Sequence, residues 1–196
     1  MNISKESIYF IKMNLFINKA SSVLRRIFSE KYKEYNNGIE WKNNEESAQH
    51  FNTGIGLAFY KNAKEFTKYR LDSGDTNYWD FTLLADVLKT VMFTEFDPKN
   101  KEQKKMKAEE TKRFERLHTI SHISNLELND EEFNKVSNEL ILIMVSFGES
   151  EEEWNSFKEK NLSQIIESGT DVNEENTGKV QDLRKLGKIC DNSYVT

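Results

Sequence analysis

A single cysteine, Cys190, and a single proline, Pro98, are the scarcest features of this 196-residue chain. One thiol excludes an internal disulfide and any multi-cysteine zinc site, and points to a reducing, cytoplasmic setting. One proline and eight glycines leave long stretches without a helix breaker. No apolar run approaches the roughly 18 to 20 residues of a membrane span, so no membrane is expected as a partner. The opening Met1-Asn2-Ile3-Ser4-Lys5-Glu6 lacks the charge and apolar order of a signal peptide. Positive charge is not in excess. The net charge is -5, which excludes a wholly basic nucleic-acid binder but leaves room for a local basic patch. There is no phosphate-binding glycine loop, no nucleophile elbow, no serine or cysteine set up as a nucleophile, and no internal repeat. No cofactor is implied.

What is present is helical pattern. Lys, Glu, Leu, Ile and Phe are frequent, and 31% of residues are charged. The expected fold is all-α, a bundle of about five to six helices over residues 1–168, followed by a polar tail or linker over 169–196. A first helix is expected from Ser4 to about Tyr35, where Ile8, Ile11, Leu15, Val23 and Ile27 recur at helical spacings. Asn36-Asn37-Gly38 stops it, and Trp41 anchors the polar loop that follows. A second helix is expected over about Ala48 to Leu71, burying Phe51, Ile55, Leu57, Ala58, Phe66 and Tyr69. Asp72-Ser73-Gly74-Asp75 reads as a turn. Asp80 suits the N-cap of Phe81 to Phe93, whose Leu83, Leu84, Val87, Leu88 and Val91 make it the expected core helix. Pro98 marks the next loop. A lysine-rich helix is expected over about Lys101 to Ile123. Asn129 and Glu132 form a cap pair for Asp130 to Phe147, which Gly148 ends. Ser150 with Glu153 opens a last helix from Glu151 to Glu167.

Chemistry concentrates in Arg116-Leu117-His118-Thr119-Ile120-Ser121-His122. Histidine titrates near neutrality and exchanges protons, while arginine keeps its charge and matches phosphate. These are groups that metal-free cleavage of RNA can use. The alternative is an ordinary helix with one arginine and two polar-face histidines. His118 and His122 lie one turn apart on one face, with Glu115 beside them. The zinc-protease pattern needs a glutamate directly after the first histidine, and Thr119 stands there, so no metal site is assigned. Arg116 and His122 point roughly 120° apart on a straight helix, about 9 Å along its axis. One copy does not bring them to one phosphate, whereas a symmetric dimer would surround one cleft with both pairs. The approach to this segment is basic, and Lys105, Lys112 and Arg113 are candidate contacts to an RNA backbone. The alternative for them is a solubilising face.

Three stretches together resemble the HEPN superfamily. They are Tyr78-Trp79-Asp80-Phe81-Thr82-Leu83-Leu84-Ala85-Asp86-Val87-Leu88, Arg116-x5-His122-Ile123-Ser124, and Asp130-Glu131-Glu132-Phe133. With Val23-Leu24-Arg25-Arg26-Ile27-Phe28, they resemble most the subclass named after the DAZ-interacting zinc-finger ubiquitin ligase. The resemblance covers roughly Ile8 to Phe157. It implies an all-α bundle that dimerises through the motif helix. In active members it implies a metal-independent endoribonuclease that cleaves RNA through its own 2′-hydroxyl. Carried over, Arg116 would stabilise the phosphate and His122 would transfer protons. The family usually has a polar residue directly after the arginine; here Leu117 stands there, and His118 is its polar neighbour. Ubiquitin ligase activity does not carry over, because one cysteine cannot build the RING that supplies it.

Two expectations follow. One is an HEPN-like RNA-binding domain and endoribonuclease with a composite site in a homodimer. The other is a catalytically silent module that dimerises or docks a protein partner.

Overall fold

The structure, a computed structural model, describes residues 4–95, 99–122, 128–160 and 164. Pro98, Ile123, the far end of the last expected helix and the 169–196 tail lie outside the described residues. Among the described residues every regular element is helical, with eight α-helices and two short 3-10 turns. None of the helices is long and apolar enough to cross a membrane. The chain divides into two compact units, Met1–Phe16 with Ser124–Thr196, and Ile17–Ile123.

In the first unit, the start of α1 (Lys5–Tyr35) accompanies α7 (Asp130–Ser146) and α8 (Glu151–Glu159). Tyr9 stacks on Phe133 at 4.6 Å, and Phe16 meets Phe157 at 4.9 Å and Trp154 at 5.8 Å. The Asn129–Glu132 capping box forms in both directions. Asn129 Oδ1 accepts from the Glu132 amide at 2.9 Å, and Glu132 Oε2 accepts from the Asn129 amide at 3.0 Å. Ser150 accepts from the Glu153 amide and opens α8.

The second unit holds the rest of α1, then α2 (Glu45–Thr53), α3 (Leu57–Asn62), α4 (Glu65–Ser73), α5 (Phe81–Met92) and α6 (Lys101–Ser121). α1 stops as expected, with Asn37 at φ 53° and Gly38 at φ 84°. The single helix expected over Ala48 to Leu71 is three short ones. Gly54 leaves helical geometry, and a Cβ at Gly56 would lie 2.2 Å from the Phe51 ring, so the chain needs glycine to turn there. Extended backbone at Ala63 and Lys64 makes the second break. The expected buried face fails with it. Phe51 is fully buried, but Phe66 and Tyr69 are 66% and 78% exposed, because α4 turns only Leu71 fully inward. This splitting raises the count above five to six.

Packing in this unit centres on Phe28, Trp41, Phe51 and Trp79, whose rings meet at 4.9 to 6.3 Å, mostly edge to face. Each indole N–H is satisfied. Trp79 Nε1 donates to the Arg70 carbonyl at 2.9 Å and Trp41 Nε1 to the Gly74 carbonyl at 3.0 Å. Gly74 sits at φ 66°, where a Cβ would run into the Asn44 carbonyl. Arg25 ties the cluster to α1. Its Nε donates to the Thr76 carbonyl at 2.8 Å and its Nη2 to the Trp79 carbonyl at 3.4 Å. Asp80 caps α5 by accepting from the Leu83 amide at 2.9 Å, and it pairs with Arg70. Leu83, Leu84, Val87, Leu88 and Val91 are all buried, so α5 is the core helix the sequence indicates, and it packs along α6.

Candidate functional site at the end of the sixth helix

Asn100 opens α6 by accepting from the Glu102 and Gln103 amides, and the helix runs without a break to Ser121. Phe114, Leu117 and Ile120 are its buried residues, three apart each time, and they set its inward face. Leu117 is 0% exposed. The inward direction fixes the rest by the helical angle of about 100° per residue. Arg116 points about 100° to one side of Leu117 and His118 about 100° to the other. Lys105 and Lys112, both exposed, fall on the same flank as Arg116. Arg113 lies closer to the inward side, half-buried, with Nη1 2.7 Å from Glu110 Oε1.

The two histidines come together. The sequence places His122 inside the helix; the structure makes it the C-cap, with φ −96° and ψ 20°. Four residues on, its ring lies against that of His118 on the previous turn. His118 Nε2 and His122 Nε2 are 3.1 Å apart, and the rings meet edge to face at 4.5 Å. In a contact of that kind one ring nitrogen donates and the other accepts. Both rings are exposed.

Two hydroxyls hold this end of α6 against the start of α5. Thr82 Oγ1 donates to Ser121 Oγ at 2.8 Å, and Ser121 Oγ donates to the His118 carbonyl at 2.7 Å. Asp86 follows Thr82 by one helical turn. Burial pushes its carboxyl above the usual carboxylate range, and the charge of His118, then that of Lys89, pulls it back. Asp86 is therefore within electrostatic reach of His118, although sequence reasoning assigned it no role. The signal was present: Asp86 is the only acidic residue in the predominantly apolar α5, where Lys89 is the one other charged side chain.

The structure thus brings His118, His122, Ser121 and Thr82 together, with Asp86 in electrostatic reach of His118. It sets Lys105, Lys112 and Arg116 along the other flank of α6. Among the described residues no group of three or more histidine, cysteine or acidic side chains is placed to hold a metal ion. His50, the third histidine, sits in α2, where Nδ1 lies 2.9 Å from the Tyr32 hydroxyl and 3.2 Å from the Asn36 amide nitrogen. The amide nitrogen can only donate, so Nδ1 accepts there, and the role of His50 is to satisfy groups at the end of α1. No protein-family model, no curated protein and no solved structure matches this chain.

Proposed function

We propose that the chain is an HEPN-like domain that binds RNA and cleaves it without a metal ion, at a site completed by a second copy. The single observation that carries this reading is the 3.1 Å contact between His118 and His122 at an exposed helix end. RNA transesterification needs one group to take a proton and another to give one. One imidazole takes the proton of the ribose 2′-hydroxyl as that oxygen attacks phosphorus. The bond to the 5′-oxygen breaks, and the second imidazole protonates that oxygen. The products are a 2′,3′-cyclic phosphate and a 5′-hydroxyl end. Arg116 of the second copy offsets charge on the phosphorane. Lys105 and Lys112 collect the RNA backbone beside it.

The experiment is cleavage of labelled single-stranded RNA in excess EDTA, with DNA of the same sequence as control. Wild type is expected to cut RNA and leave DNA intact. Arg116→Ala and His122→Ala should each lose on the order of 10² to 10³ in rate. An equimolar mixture of the two variants should recover about a quarter of wild-type activity, because half the dimers are mixed and each holds one complete site. Cleavage that both variants retain would remove these residues from the reaction. A strict monomer at working concentration would remove the composite site.

One observation favours the second reading, a silent dimerisation or protein-docking module. Leu117, which stands where the family usually has a polar residue, is wholly buried, and Arg116 lies across it from the histidines. Absence of cleavage across several RNAs, by folded dimeric protein, selects this reading.

A further inference from the structure

We infer that His118 and His122 form a two-histidine site for a late first-row transition-metal dication, Zn²⁺ or Cu²⁺, and that its occupancy blocks proton transfer by the same imidazoles. The second half rests on the RNA-cleavage reading above; the first does not. The placement of the donor atoms carries the site. The two Nε2 atoms are 3.1 Å apart. Imidazole nitrogens about 2.0 to 2.1 Å from one ion lie roughly 2.9 Å apart at a right angle and roughly 3.3 Å apart at the tetrahedral angle. The observed separation falls between these, so both nitrogens reach one ion with the backbone where it stands. The imidazole χ2 torsion is broad, and a small turn of each ring aims both lone pairs at one point beside the line that joins them. The ion then replaces the hydrogen bond between the rings, and each histidine carries its remaining proton on Nδ1.

The surroundings favour positive charge. The pair stands at the C-terminal end of α6, where the last carbonyls form the negative end of the helix dipole. Asp86, in electrostatic reach of His118, adds negative charge when ionised. Both rings are exposed, so water fills the other coordination positions. Among the described residues no third histidine, cysteine or acidic side chain completes the set, which makes the site open and exchangeable rather than structural. The donors select the metal class. Imidazole suits zinc, copper and nickel, whereas Ca²⁺ and Mg²⁺ take oxygen ligands. An ion held there takes up both lone pairs, and neither imidazole is then left to accept the 2′-hydroxyl proton.

The test is a ZnCl₂ titration of isotope-labelled full chain, followed by the imidazole chemical shifts. Saturable shifts are expected at His118 and His122 together, and not at His50, whose Nδ1 already accepts a hydrogen bond. CuCl₂ should displace Zn²⁺, and MgCl₂ should shift neither ring. His118→Ala and His122→Ala should each weaken Zn²⁺ binding by at least roughly tenfold, because each leaves a single ligand. Both side chains are exposed, so loss of binding in these variants is not loss of fold. In protein that cleaves RNA, ZnCl₂ should inhibit with the midpoint of the shift titration, and EDTA should restore the rate. Saturable binding by a chain that cuts no RNA supports the site and counts only against the cleavage reading. Binding without inhibition would overturn the regulatory half and take these histidines out of the reaction. No saturable shift, equal shifts with MgCl₂, or unchanged affinity in either variant would each overturn the site itself.

Discussion

Trp79 and His118 belong to the same compact unit and show two ways of using a polar side chain. Around Trp79 the polar groups serve the fold. The indole N–H, the Arg25 guanidinium and the Asp80 carboxylate each bond a group that the fold would otherwise leave unsatisfied. At the end of α6 the polar groups face outward. The imidazoles of His118 and His122 bond each other and cover no part of the core, while Leu117 between Arg116 and His118 does the packing. The first arrangement contributes stability. The second is free to serve chemistry, because changing it leaves the core intact. The difference also bears on the family resemblance. Leu24, Arg25, Phe28, Trp79 and Asp80, which carry much of it, are all packing or capping positions here.

The comparison breaks most visibly at the aromatic cluster. Trp79→Ala should cost about 3 to 5 kcal/mol, read from chemical denaturation, because it empties the centre of the cluster and orphans the Arg70 carbonyl. A cost near that of a surface substitution would mean that the cluster is not the structural region. His50→Ala should cost about 1 to 3 kcal/mol, since the buried Tyr32 hydroxyl loses its acceptor. The same variant should leave any RNA cleavage unchanged, which separates this histidine from the other two.

Asp86 lies between the two kinds of region and gives a pH test. Burial raises its folded-state pKa above the ordinary carboxylate range. A raised acid favours the folded state while protonated, and that contribution is lost as pH rises through the folded value. Asp86→Asn should therefore be more stable than wild type at pH 7. The gap should close as pH falls below the ordinary carboxylate range. Urea midpoints at several pH values read this directly, and a gap that widens toward acid would reverse the assignment. The smallest expected stability effect is the sharpest contrast. Arg116→Ala and His122→Ala should each stay within about 0.5 kcal/mol of wild type. Loss of cleavage at unchanged stability would place these residues in function rather than in packing.

Legibility in the sequence followed the range of the forces involved. The Asp80 cap, the Asn129–Glu132 box and the Asn37-Gly38 stop are local, and each stands where the residues indicated. The break of the second expected helix was harder to read. Gly54 and Gly56 are visible as glycines, but the ring of Phe51 against Gly56 is a tertiary contact. The histidine pair was legible as a spacing of four. Its edge-to-face ring contact was not, because it rests on side-chain rotamers that spacing alone does not set. Asp86 stood out only as the one acidic residue on a largely apolar helix until α5 was seen against α6.

Helical periodicity, scarce proline and the capping residues by themselves determined an all-helical chain, with α5 at its core, because these are properties of neighbours three and four residues apart. Tertiary structure alone decided which side of α6 faces inward. It did so by burying Phe114, Leu117 and Ile120, and burial of one stripe assigns every other position on a helix to a flank. That choice put Arg116 and the histidines on opposite flanks, separated by a leucine whose apolar surface is better removed from water than exposed.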